Sequence, residues 1–481
     1  MPEIINVLFL AAEADPFVKV GGLGDVASAL PRAIRALPSE ITGETKLDVR
    51  LVLPMHSVVK AETLKPLTVF SIPRGESEVQ VEAFEGVLDG MPVYFISGEP
   101  IRASGSVYSL KAELDAEKYV FFSLAALELP RQIGWDVDVI HANDWHTALA
   151  VYANLTKRWE EGARRVASML TLHNLPFMGP DISEMLKLYH VPLAQTDLPE
   201  WARLMPLPLG LWAADVIAPV SPSYAAEVLD VEFGCGLNEF LAQRRNNLHG
   251  IMNGIDVASY NPTDDDALES PFSALTLSDR LPNKAALQTR LGLPLDPDVP
   301  LFGMVSRMDV QKGVDLAIKA LHSFKKPNFQ AVILGAGDPT LEEAARQLQV
   351  EHPEHIRVET RFDANLARQI YAGSDIFLMP SRYEPCGLSQ MIAMRYGCVP
   401  LARAAGGLRD TVTSDAGFLF EKATVLALSN AMRKVLKIYP DRERWAQLQQ
   451  AGMAKDFSWV HSAKQYFELY QSLILETKPT L

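Results

Sequence analysis

Short apolar runs recur along the first half of the chain, at Asn6–Ala12, Val49–Leu53, Val93–Ile96, Val139–Ala142, Ala167–Thr171 and Val216–Val220. Stretches with helical spacing lie between several of them, such as Tyr119–Leu129 and Thr147–Trp159. Runs this apolar offer no polar face, so they predict strands buried on both sides. Their alternation with helices predicts βαβ units and a mostly parallel sheet covered on both faces. Lys65–Glu85 breaks the rhythm, and the alternation in Glu78–Phe84 predicts an antiparallel insertion.

The rhythm restarts after about residue 295. Val299–Val305, Gln330–Gly335, Ile356–Glu359, Ile376–Pro380 and Val399–Ala402 predict strands, and Val314–Phe324, Glu342–Val350 and Asn365–Ala372 predict helices. A Gly/Asn/Asp/Pro-rich stretch, Asn253–Asp266, joins the two series. The chain has 481 residues, beyond the range of one core. The expected fold class is therefore α/β, with two doubly wound Rossmann-like domains facing a deep cleft, one over residues 1–250 and the other over 251–455. In such sheets ligands bind beyond the carboxyl ends of the strands.

Hydrophobic residues make up 48% of the chain and charged residues 22%, with no low-complexity stretch. This allows large cores and leaves disorder only for the extreme C-terminus. A net charge of −14 argues against nucleic acid as a partner, because phosphate backbones attract basic surfaces. The local pairs Arg244-Arg245 and Lys325-Lys326 read as solvated faces. Three cysteines without paired spacing, Cys235, Cys386 and Cys398, fit a reducing compartment. The apolar run Ile5–Ala12 is short and is followed at once by Glu13 and Asp15, so no signal peptide is expected. No run reaches the ~18–20 apolar residues of a membrane span. A cytoplasmic protein with no membrane partner is expected.

Candidate chemistry sits mostly at predicted strand ends. Lys19-Val20-Gly21-Gly22-Leu23-Gly24-Asp25 lies between a strand and a helix. Such a turn exposes backbone N–H groups at a helix N-terminus, where they favour an anion, and Lys19 adds a mobile cation. The loop is neither a Walker A motif, since the lysine precedes the glycines, nor a G-x-G-x-x-G turn. In the second half, Ser306-Arg307 and Gln311-Lys312-Gly313 follow a strand, and one loop carrying Arg307 and Lys312 can set two cations on one diphosphate. Ser381-Arg382-Tyr383-Glu384-Pro385-Cys386-Gly387-Leu388 opens the next helix. It offers N–H groups near Gly387 and Leu388, and Glu384 suits sugar hydroxyls. Gly406-Gly407-Leu408 is another small turn after a strand, which a plain loop explains equally well.

His141-Ala142-Asn143-Asp144-Trp145-His146-Thr147 ends a strand, as does Thr171-Leu172-His173-Asn174. These are site candidates or polar plugs. Zinc competes for the two histidines, but no cysteine or glutamate stands at ligand spacing, and no metal is expected. Asp136-Val137-Asp138 has the Asp-x-Asp form of some metal-dependent glycosyltransferases, yet it lies at the start of a strand and reads as a solvated turn. Asp264–Asp266 reads as an exposed loop.

Taken together these segments resemble the bacterial glycogen synthases and plant starch synthases. The matching segments are Lys19–Asp25, His141–Thr147, Thr171–Asn174, Ser221-Pro222-Ser223-Tyr224, Asn253-Gly254-Ile255-Asp256, Ser306–Gly313, Ser381–Leu388 and Asp456-Phe457-Ser458-Trp459. They keep the family's order over nearly the whole chain. The resemblance implies a GT-B fold and transfer of glucose from ADP-glucose or UDP-glucose to the non-reducing end of an α-1,4-glucan, with retention and without metal or other cofactor. It implies that Lys19, Arg307 and Lys312 neutralise the donor diphosphate, that Gly21 and Gly22 approach it, and that Glu13 lines the same pocket. It places His146 near the donor sugar and Glu384 on the donor glucose, with Cys386 and Gly387 beside it. Asp25, Asn253, Leu388, Gly406 and Gly407 complete the donor side, and Asp144, His173 and Asn174 are acceptor-side candidates. The resemblance also implies that a C-terminal segment, 456–481 with a helix over roughly Ser462–Leu475, packs back on the first domain.

The chain departs from the family pattern at Pro176, Phe177 and Met178, at Leu207–Leu211, at Leu114–Tyr119 and at Arg368, and Asp410–Phe420 is short. The first three departures fall in the acceptor-facing half, while the donor motifs are mostly intact. The expected function is that of a glycogen or starch synthase-like glucosyltransferase. The alternatives are a related retaining enzyme with a UDP-glucose donor or a smaller acceptor, and a catalytically weak glucan-binding protein. Neither donor base nor oligomeric state is legible.

Overall fold

A computed structural model describes residues 3–157 and 166–477. The chain forms two compact units, Met1–Gly254 with Trp459–Leu481, and Ile255–Ser458.

The first unit is built on eight strands: β1 (Ile4–Leu10), β2 (Lys46–Pro54), β3 (Lys65–Arg74), β4 (Ser77–Leu88), β5 (Met91–Ser97), β6 (Val139–Asn143), β7 (Ala167–Leu172) and β8 (Val216–Pro219). Their order in the sheet is β3-β4-β5-β2-β1-β6-β7-β8. Strands from β5 to β8 pair in parallel, whereas β3, β4 and β5 form an antiparallel meander, which is the expected insertion. The central strands are buried along almost their whole length. One face is covered by the helix Gly22–Arg35 and by the C-terminal helix Trp459–Thr477, whose Tyr466, Tyr470 and Ile474 join Val7, Phe9 and Val26 in one core. His141 sits fully buried under that helix, its Nδ1 2.6 Å from the Tyr470 hydroxyl and its Nε2 2.7 Å from Thr171 Oγ1. It is therefore a plug in the core. The predicted end of the helix at Trp159 lies outside the described residues.

The second unit carries six parallel strands: β9 (Leu301–Val305), β10 (Gln330–Leu334), β11 (Ile356–Glu359), β12 (Ile376–Met379), β13 (Val399–Arg403) and β14 (Phe418–Phe420). Their order is β11-β10-β9-β12-β13-β14. Both sheets reverse direction of winding next to their first strand, at β1/β6 in one and at β9/β12 in the other. The loops leaving the two strands at such a point turn to opposite sides and leave a crevice at the carboxyl edge. The Lys19 loop follows β1 and the His141–Thr147 turn follows β6. The Arg307–Lys312 loop follows β9 and the Glu384 loop follows β12.

Three surface readings are corrected. Arg244 is half-buried, and its guanidinium donates to the carbonyls of Leu211, Trp212 and Ala214 at the end of the helix Pro206–Ala213. Asp265 is likewise not a free loop carboxylate. It accepts from Arg368 Nη1 at 2.9 Å and from the Tyr396 hydroxyl, so the arginine at the departing position 368 fastens the 259–265 loop to its own helix. Asp138, read as part of a solvated turn, accepts from the backbone of Asn6 at 2.9 Å and braces the strand start. The three cysteines are free thiols. Among the described residues, no helix is long and apolar enough to cross a membrane.

Candidate functional site

In the first unit the site is built around Glu13. This carboxylate is only 1% exposed. It accepts from the N–H groups of Val20 and Gly21 and from the Tyr108 hydroxyl at 3.0 Å. Burial raises its pKa, against the pull of those hydrogen bonds. Glu13 thus folds the glycine loop, and the N–H groups of Val20 and Gly21 are engaged by it. Gly22 is different, because a Cβ built there meets nothing within 4 Å. The open space of the turn lies at Gly22, the first residue of a helix that runs to Arg35. Lys19 reaches Asp25 Oδ1 at 2.5 Å and Asp15 Oδ2 at 3.3 Å. Burial raises the Asp25 pKa, with Lys19 opposing.

Tyr108 connects this loop to the end of β6, its ring centroid 5.0 Å from that of His146. His146 is boxed by Tyr108, Tyr119 and Trp145. Burial first, then Lys118, His56 and His173, press its pKa well below the usual value. His146 is therefore a neutral imidazole, and its buried Nδ1 has no hydrogen-bond partner. Such an atom is costly unless something satisfies it. Asn174 Oδ1 and Asn253 Oδ1 are in the same condition. All three were singled out from the sequence.

Asp144 and His173 prove to be braces. Asp144 sits in the left-handed region at φ 53, and its carboxylate accepts from the N–H groups of His173 at 2.7 Å and Asn174 at 3.3 Å. Burial lifts its pKa to about 7. The His173 ring meets Asn143 Oδ1 at 2.9 Å, and burial holds its pKa down at about 3. The two residues cross-link the ends of β6 and β7. Of the acceptor-side candidates, Asn174 retains an unpartnered oxygen.

In the second unit, Lys312 and Glu384 form an ion pair, with Nζ 2.8 and 2.7 Å from the two carboxylate oxygens. Ser381 Oγ donates to the same carboxylate at 2.9 Å, and Glu384 is only 4% exposed. Arg307 is exposed and reaches Asp309 Oδ2 at 3.3 Å. Gly313 has φ 70, and a Cβ there would lie 2.2 Å from the Pro380 carbonyl oxygen. Only glycine lets the Lys312 loop lie so close to the end of β12. Arg382 ties the two loops further through a bidentate pair with Asp315 at 2.6 and 2.8 Å.

Gly406 and Gly407 are packing glycines. Added Cβ atoms would lie 2.0 Å from Glu384 O and 2.4 Å from Cys386 O. The Gly407 N–H donates to Glu384 O at 3.1 Å, so this turn holds the Glu384 loop in place. Cys386 is buried, and Gly387 takes φ 70 just before Leu388, which caps the short helix Ser389–Arg395. Fully buried Gln390 holds this turn, donating to the carbonyls of Cys386 at 3.1 Å and Gly387 at 2.8 Å.

Sequence reasoning missed Tyr108, Gln390 and Lys118. Lys118 is fully buried, and its Nζ donates to Ser104, Ser106, Val107 and Asp115, which fixes the loop that carries Tyr108. The degraded segment Leu114–Tyr119 held the signal, since a lysine amid helical apolar positions needs buried acceptors. Each cation singled out is thus on a carboxyl-edge loop and faces a carboxylate that an incoming polyanion could replace: Lys19 with Asp25, Arg307 with Asp309, Lys312 with Glu384. Paired Rossmann-like units with such loops define a glycosyltransferase of the GT-B class.

Comparison with known proteins agrees. Residues 6–243 match the family described as starch synthase catalytic domain, and residues 289–451 match glycosyl transferases group 1. Glycogen synthases of Streptococcus sanguinis and Streptococcus gordonii are each 39% identical, over 98% of this chain and 100% of theirs. The catalytic domain of starch synthase IV from Arabidopsis thaliana, bound to ADP and acarbose, superposes with a TM-score of 0.87 at 32% identity, over 98% of this chain and 99% of that one. Sucrose-phosphate synthase from Thermosynechococcus elongatus shares the fold alone, at a TM-score of 0.63 and 18% identity. The chain belongs to the glycogen synthase and starch synthase family.

Proposed function

We propose that this enzyme transfers glucose from ADP-glucose to the non-reducing end of an α-1,4-glucan with retention of configuration. Full-length similarity to glycogen synthases supports the reaction, and similarity to a starch synthase bound to ADP supports the adenine nucleotide. The observation that carries the reading is the set of exchangeable cations at the switch points: Lys19 in one unit, Arg307 and Lys312 in the other.

Glucosyl transfer passes through an oxocarbenium-like state as the diphosphate departs. The demand is for positive charge on the leaving group. In the second unit Arg307 and Lys312 meet it as the diphosphate displaces Asp309 and Glu384, and Glu384, once released, turns to the hydroxyls of the donor glucose. In the first unit Lys19 and Gly22 are the candidates for an anion, and neutral His146 offers its unpartnered Nδ1 to a hydroxyl. No covalent nucleophile takes part. The free cysteines and the nucleotide donor fit a cytoplasmic enzyme.

The test is a donor screen with radiolabelled glucose and a soluble glucan primer. Label from ADP-glucose should enter the polymer faster than label from UDP-glucose, and alanine at Arg307 should lower turnover by roughly 10²–10³. Glucan binding without transfer from either donor would overturn the reading.

A further inference from the structure

The helix Val314–His322 starts at the Lys312 loop and runs to the opposite, amino-terminal edge of its sheet. The helix Pro339–Glu351 ends at the same edge, just before β11. At these two ends His322, Glu351 and His352 bring one donor atom each within 4.8 Å of one another. His322 Nδ1 lies 2.9 Å from Glu351 Oε2, and the two imidazole centroids are 6.2 Å apart.

Adjacent residues on a helix diverge by about 100°, so Glu351 and His352 would not normally converge. They do so here because His352 leaves the helix, with φ −129 and ψ 58. Both helices also direct their negative ends at the cluster, which favours a cation. Two imidazoles and one carboxylate form a ligand set suited to zinc, with a remaining position for water. At bond lengths of about 2.0–2.2 Å, tetrahedral ligand atoms stand about 3.4 Å apart, so small side-chain rotations complete the site.

We propose that His322, Glu351 and His352 bind a divalent transition-metal ion, with Zn²⁺ the fitting case, and that the ion joins the ends of the two helices. It lies at the sheet edge opposite the transfer loops of this unit and has no part in the transfer.

The experiment uses the full chain, stripped with a chelator, desalted and titrated with ZnCl₂ by calorimetry. One ion per chain should bind. H322A and H352A should each weaken binding by about tenfold or more, while C235S should leave it unchanged. The histidine variants should keep wild-type glucan transfer and urea midpoints, which shows them folded. Two results would overturn the proposal: equal zinc affinity in an H322A/H352A double variant, or no binding by the wild-type chain at 100 μM zinc.

Discussion

Replacing Lys312 by methionine separates the fold from the chemistry. Lys312 is 21% exposed at its side chain and Glu384 4%, at 2.7 Å. Unit charges at this separation attract by about 6 kcal/mol at an effective dielectric of 20, and desolvation of the two ions offsets part of that. Removing a partner from a buried pair costs about 3–5 kcal/mol because the other charge is stranded. With Lys312 partly solvated, about 2–4 kcal/mol is expected here. The same change removes a cation from the departing diphosphate and should lower turnover by roughly 10²–10³. K312M/E384Q tells the two effects apart. The glutamine amide needs no counter-ion and still accepts from Ser381, so stability should return while turnover stays at or below that of K312M. Stability is read from urea transitions, with hydrogen exchange of β9–β13 assigning the transition to the second unit. Turnover is read from labelled glucose entering glucan. Near-normal turnover in K312M would refute the argument, as would its recovery in the double variant.

Gly22→Ala should fold normally, because nothing lies within 4 Å of the new methyl. It should raise the KM for the nucleotide sugar about tenfold or more by occupying ligand space, and an unchanged KM would remove the diphosphate from that turn. Gly313→Ala, which drives a methyl against the Pro380 carbonyl, should cost about 2–3 kcal/mol in urea melts and lower turnover with it. The pH dependence of stability has a defined sign. Burial holds His141 and His173 down at about 3, so the unfolded chain takes up protons below about 6.5 that the folded chain refuses. Stability should therefore fall as pH drops from about 6.5 towards 3, by up to about 1.4 kcal/mol per pH unit for each histidine. Asp144, raised to about 7, opposes this: its contribution is present below about pH 4 and is lost as pH rises to about 7. Urea midpoints between about pH 4.5 and 6.5 should fall less steeply in H141Q and more steeply in D144N, and identical slopes in all three would contradict the burial argument.

The parallel sheets were legible because their strands are buried on both faces and read as unbroken apolar runs, as in Ala167–Leu172. The insertion was legible because β4 faces solvent on one side and alternates. Strand β14 escaped because three residues, partly exposed, carry no period. The cationic loops could be found because the small residues and charges that make a phosphate turn lie together in sequence. Which groups already satisfy one another could not be found. That Glu13 occupies the loop's own N–H groups, that Asp144 braces His173, and that Gly407 closes on Glu384 are long-range or three-dimensional contacts with no mark in the order of residues. Tyr108 reaches Glu13 across 95 positions, and no spacing rule spans such a distance.

The helix Trp459–Thr477 completes the hydrophobic core begun by β1, although the whole second unit intervenes in the chain. On a ribosome, the opening half of the protein would emerge with His141 and Phe9 uncovered and would wait for more than two hundred further residues, the span of Ile255–Ser458, before its lid arrived. The nascent amino-terminal portion is thus the stage most in need of chaperone protection. A truncation before Trp459 would unseat the amino-terminal fold, not merely trim a tail.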